Sequence, residues 1–149
     1  MFNEKYGLET AVLYSEKSRT WRADKQPRYV VGEIVAMQQS YKDVFFYYLH
    51  KNNKKANEIS GKYAGRAGWT NKMFVKNELM PHKIRIISVK KCKLQDITDE
   101  ECMREGIFYY NVGYDNPREA FCRLIDALNG KGYWKSNPDG YAYEFELIK

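Results

Sequence analysis

Basic and aromatic side chains crowd the middle of this chain of 149 residues. Residues 42–93 hold thirteen Lys and Arg against three Asp and Glu, a balance of +10. Interleaved with them are Phe45, Phe46, Tyr47, Tyr48, Tyr63, Trp69 and Phe74. Lys and Arg neutralise phosphates, and aromatic faces stack on bases. The clustering therefore points to a polyanion or nucleotide partner rather than to an acidic protein surface. Taken one residue at a time, the same stretch reads as solvated lysines over a core of aromatic rings. Residues 1–41 balance at +1 and residues 94–149 at −5, so the formal +6 of the chain conceals three unlike regions.

Chemistry at single residues is sparser. Lys17-Ser18-Arg19-Thr20-Trp21-Arg22 gathers a lysine, a hydroxyl and two arginines. Thr20 and Arg22, two apart on a strand, share one face, where Arg22 can bind a phosphate, a carbonyl oxygen or a structural carboxylate. The structural alternatives are plain: Lys17 as a helix-end lysine favoured by the dipole, Thr20 as an ordinary strand residue, Glu105 as a solvated helix residue beside Gly106. His50 and His82 are too few for a histidine-rich metal site. Cys92, Cys102 and Cys122 form no C-x-x-C pair, so neither zinc nor a disulfide framework is expected. Nucleotide-binding glycine loops, H-E-x-x-H and G-x-S-x-G do not occur in the sequence. No metal and no cofactor are expected.

The composition, 44% hydrophobic and 30% charged, is that of a globular chain, long enough to bury roughly 68–70% of its unfolded surface. A collagen-like, coiled-coil or disordered chain is excluded. The longest apolar run, Val44 to Leu49, has six residues, and a spanning helix needs about twenty, so no membrane partner is expected. No apolar leader stands at the N-terminus, and the odd number of cysteines fits reduced thiols in a cytoplasmic protein.

The elements that must position these residues read as one α+β domain over residues 1–149. Residues 4–14 are weakly helical. A turn follows at Asp24–Pro27, then a strand from Tyr29 to Gln38 and another from Tyr41 to Leu49. Residues 50–68 are polar, basic and rich in Asn and Gly, and read as a long loop insertion. Met73 to Val75 reads as extended. Ile84 to Leu94 is a strand with apolar residues on both faces, which implies burial on both sides. Thr98 and Glu101 form a capping box that opens a helix ending near Gly106. Asn116-Pro117 opens a second helix, closed by Gly130, with Ala120, Phe121, Leu124, Ile125 and Leu128 as its apolar stripe. Tyr141 to Ile148 is the last strand. Short strands with helices between them suggest a small mixed barrel or curled sheet.

An ordered set of motifs runs through this frame: K-x-x-T-x-R at Lys17–Arg22, Gly32-Glu33 at a strand, Pro81-His82-Lys83-Ile84-Arg85-Ile86, Leu94-Gln95-Asp96-Ile97-Thr98 leading to Glu105-Gly106-Ile107, and finally Trp134 and Asn137-Pro138. The set resembles the ASCH domain family, related to the PUA RNA-binding domains, over nearly the whole chain from Leu8 to Leu147. Gly68-Trp69-Thr70-Asn71-Lys72-Met73-Phe74 resembles small ASCH proteins of phages and gut bacteria. The resemblance implies a small PUA-like mixed β-barrel with flanking helices and a cleft. It also implies a ligand that is RNA or a nucleoside. Many members are regarded as RNA-binding modules, and some small ones are amidohydrolases that remove the acyl group from cytidine acylated on its exocyclic nitrogen. In those enzymes the motif lysine accepts a proton, the motif threonine is the nucleophile and a glutamate donates a proton. Lys17, Thr20 and Glu105 take those places. Arg19, Arg22, Trp69 and Trp134 are the candidate ligand-binding residues. A non-catalytic RNA-binding module and a phage or host interaction domain are the alternatives. The chain departs from the family at Ser15, where a glycine is usual, and at Asp139-Gly140, which reads as a turn.

The chemistry sets its own conditions. A threonine hydroxyl is a poor nucleophile until a base takes its proton. A lysine is that base only if its pKa falls from about 10.4 toward neutrality. Partial burial and the cations Arg19 and Arg22 would act in that direction. The acid role requires that Glu105 carry a proton.

Overall fold

A computed structural model describes residues 8–107 and 116–148. It shows an α+β chain whose four strands form one antiparallel sheet in the order β1-β4-β3-β2. The strands are β1 (Arg19–Arg22), β2 (Ile34–Ala36), β3 (Lys83–Lys93) and β4 (Asp139–Ile148). The helices are α1 (Leu8–Leu13), α2 (Tyr41–Leu49), α3 (Asn53–Tyr63), α4 (Asp99–Arg104), α5 (Pro117–Asn129) and α6 (Tyr133–Ser136). Of the expected helix at 4–14, residues 4–7 lie outside the described residues. Among the described residues no helix is long and apolar enough to cross a membrane.

Packing divides the described chain into two compact units. One comprises Val35–Lys83, and the other takes in the residues up to Ile34 and from Ile84 onward.

In the larger unit β1 runs antiparallel to β4, with Arg19 opposite Glu144, Thr20 opposite Tyr143, Trp21 opposite Ala142 and Arg22 opposite Tyr141. Gly140 precedes this pairing on β4, where any Cβ would collide with the Arg22 carbonyl and the Trp21 ring. Asp139-Gly140 is therefore the start of β4 and not the turn read from the sequence, because only glycine fits so close to the neighbouring strand. Tyr143 is fully buried, and its hydroxyl donates to Asp24 Oδ2 at 2.7 Å and accepts from the Arg28 amide at 2.9 Å, tying the 24–28 turn to β4. β3 buries Ile84 and Ile86 but leaves Ile87 45% exposed, so it is covered on one face there, not on both. Of the strand expected at Tyr29–Gln38 only Ile34–Ala36 forms. Val30 and Val31 are exposed, and Gly32 at φ +89° turns the chain.

The smaller unit overturns three local expectations. Tyr41–Leu49 is a helix, not a strand. Ser40 caps it, its hydroxyl accepting from the Asp43 amide at 3.2 Å. Tyr41, Val44 and Tyr48 fall at helical spacing onto the core. The aromatic run mimics a strand, and the cap decides against it. The basic stretch 50–68 contains α3, capped by Asn52, whose Oδ1 accepts from the Lys55 amide at 3.1 Å. Ala56 and Ile59 anchor α3 to the core, and Tyr63 stacks on Tyr41 with ring centroids 3.9 Å apart. The third revision is at Lys72–Phe74, which forms a 3₁₀ turn rather than an extended segment, with Asn71 Oδ1 accepting from the Met73 amide at 2.9 Å.

Candidate functional site

Lys17 leaves α1 through a left-handed residue. Ser15 sits at φ +59°, the conformation for which glycine is the usual choice at this place after a helix. From there the chain enters β1, whose burial alternates: Arg19 and Trp21 are buried, Thr20 and Arg22 half-buried on the other face. The partner element is α4, opened by the capping box. Thr98 Oγ1 accepts from the Glu101 amide at 3.1 Å, and Glu101 Oε1 accepts from the Thr98 amide at 3.0 Å. Glu105 ends α4, and Gly106 follows at φ +86°. A Cβ on Gly106 would lie 2.9 Å from Lys17 Cβ, so glycine is what allows the lysine stem to lie along this turn.

These elements bring Lys17, Arg19 and Glu105 together. All three are 4% exposed or less. Lys17 Nζ donates to the Glu105 carbonyl at 2.6 Å, to the Arg19 carbonyl at 2.8 Å and to Glu105 Oε2 at 3.2 Å. Glu105 Oε1 accepts from Arg19 Nη1 at 3.1 Å and from the Trp21 amide at 2.6 Å. Arg19 Nε stands 3.5 Å from Glu101 Oε2. Arg104 braces the surroundings, donating to Ser18 Oγ at 3.2 Å and to Glu144 Oε1 at 2.8 Å.

Burial pushes the Lys17 ammonium below its ordinary pKa. Glu105 opposes this without reversing it, and Arg22 and Arg19 add to the lowering. For Glu101 burial acts upward, but the Thr98 amide and the Arg19 guanidinium outweigh it and hold the carboxyl below its ordinary value. Chemically, the arrangement is a buried amine and carboxylate in hydrogen-bond contact. The Arg19 carbonyl that receives Nζ belongs to the residue before Thr20, whose side chain lies on the other face of β1 from that of Arg19.

Trp134 lies on α6 in the same unit, half-buried against Phe121 at 6.0 Å and under the Arg118 guanidinium at 5.0 Å. Its amide donates to Asp126 Oδ1 at 2.9 Å and its carbonyl accepts from Gln95 Nε2 at 2.8 Å, so Trp134 ties α6 to its surroundings. Trp69 belongs to the smaller unit, where its ring packs 6.0 Å from Phe45.

Two participants escaped the sequence reading. Glu101 was visible as a capping residue, and its spacing of four from Glu105 was the signal that both carboxylates share a side of α4. The Trp21 amide carries no sequence signal at all, being main chain. Among the described residues no group of His, Cys, Asp and Glu could hold a metal ion. Comparison with models of known protein families, with curated protein sequences and with solved structures gives no match for this chain.

Proposed function

We propose that this chain is an ASCH-like domain that binds a modified nucleoside and removes an acyl group from the exocyclic nitrogen of cytidine, its sheet forming part of a small PUA-like β-barrel. One observation carries the reading: the buried Lys17 amine, lowered in pKa, lies 3.2 Å from the Glu105 carboxylate and donates to the carbonyl of Arg19, the residue before Thr20.

Lys17, as the free amine, takes the proton of the Thr20 hydroxyl while Oγ1 attacks the acyl carbon. Glu105 delivers a proton to the cytosine nitrogen as the carbon–nitrogen bond breaks, and water then hydrolyses the acyl-threonine. Base and acid must be ready together. Moving one proton from Lys17 Nζ to Glu105 Oε2 along their hydrogen bond supplies a free amine and a carboxylic acid in a single step. Arg22, on the Thr20 face of β1, is placed by this reading on the acyl oxygen or the ligand phosphate.

The test is acetate release from N4-acetylcytidine by the purified protein, with Thr20→Ala and Glu105→Gln alongside. The expected result is turnover by the parent and a fall of about 100-fold or more in each variant. Absence of turnover by protein whose circular dichroism shows it folded contradicts the proposal.

A further inference from the structure

Counting charge by compact unit locates it. Residues 35–83 carry nine basic and three acidic side chains, a balance of +6, and the rest of the sequence carries sixteen of each. The entire net charge of the chain thus belongs to the unit built on α2 and α3. Three of its lysines stand over aromatic rings: Lys51 Nζ lies 4.2 Å from the Tyr47 centroid, Lys55 Nζ 4.4 Å from that of Tyr48 and Lys62 Nζ 5.6 Å from that of Tyr63. Lys55 and Lys62 are seven apart and follow one side of α3, Lys51 stands in the turn before it, and the rings restrict where each ammonium can stand. The same unit leaves Phe46 55% and Phe74 63% exposed, outside its own core.

We propose that the α2–α3 unit is a binding surface for single-stranded nucleic acid. Lys51, Lys54, Lys55 and Lys62 neutralise phosphates, and Phe46 and Phe74 stack on bases. Concentrated positive charge selects a polyanion. Exposed phenyl rings select one whose base faces are open, which a duplex does not offer. The inference rests on the charge and rings of this unit and is independent of the chemistry at Lys17.

The experiment is fluorescence anisotropy of a labelled 20-nucleotide single-stranded RNA titrated with the full chain across a salt series. Affinity should fall with salt along a slope of about −0.7 per neutralised phosphate. K54A/K55A/K62A should make that slope shallower by about 2. F46A/F74A should weaken binding at least about fivefold and leave the slope unchanged. K131A/K135A, from the unit with no net charge, should change neither. These side chains are surface residues, and circular dichroism checks that the variants fold. Equal or tighter binding of duplex RNA or of phosphatidylserine vesicles overturns the proposal, as does RNA binding that both variant sets leave intact or that is absent in the parent. Acetate release from free acetylcytidine does not require this surface, so the two readings fail separately.

Discussion

Lys17 is held by different forces along its length, and substitutions should separate them. Its stem depends on Gly106. Gly106→Ala forces a side chain into left-handed backbone and against the lysine, and should destabilise by more than about 1 kcal/mol in urea unfolding. Ser15→Gly removes left-handed strain before β1 and should stabilise by up to about 1 kcal/mol. The charge of Lys17 is read through pH. Its folded pKa lies below the ordinary value of 10.5, so between the two the folded state binds fewer protons than the unfolded state. Stability therefore rises with pH across that window, and the cost of the buried ammonium is fully present below it. Cys102 and Tyr143, both pushed up to about 12 by burial, act in the opposite sense above their unfolded values of 9.0 and 10.0. Subtracting the stability of Lys17→Met from that of the parent cancels their effect. The difference should move in the parent's favour as pH approaches 10.5, and a flat difference contradicts the assignment. Cys102 itself is fully buried, so native protein should expose at most two of its three thiols to an aromatic disulfide reagent at pH 8, and all three after unfolding.

At the scale of elements, the parts with chemical start signals were legible in the sequence. The Thr98 box and the Asn116-Pro117 opening give α4 and α5 where expected, because a cap satisfies orphan amides through side chains that the sequence names. Thr98→Ala should cost about 1 kcal/mol, and since Glu101 serves both the cap and Arg19, it should also loosen the site. Elements α2 and α3 were missed although each has its own cap, Ser40 and Asn52. Aromatic residues of high strand propensity hid the first, and Lys, Asn and Gly hid the second. What fixes both is the packing of Tyr41, Val44, Ile59 and Met80, a long-range fact. The site divides the same way. The Lys17–Arg22 string stands out in sequence, but its meeting with a glutamate 88 residues away was legible only through resemblance to a family. The Trp21 amide that completes the Glu105 shell was not legible by any route.

For the whole molecule, the sequence shows a basic middle over residues 42–93, and the packing shows that its part up to Lys83 belongs to a unit of its own, opposite in character to a unit of balanced charge that holds the buried Lys17–Glu105 pair. As proposed above, the charge of the first unit gathers a polyanion and the buried pair of the second moves one proton, and the two have separate signatures: salt alters the first and pH the second. The measurement that bears most directly on the central claim is the pH dependence of acetate release from N4-acetylcytidine by the parent and by Lys17→Met at fixed ionic strength. The account predicts that the parent's rate falls as pH rises through the loss of the pair's one proton below 10.5, and that Lys17→Met lowers release about 100-fold or more at every pH below that fall. No release by the parent, or release undiminished without Lys17, would contradict it.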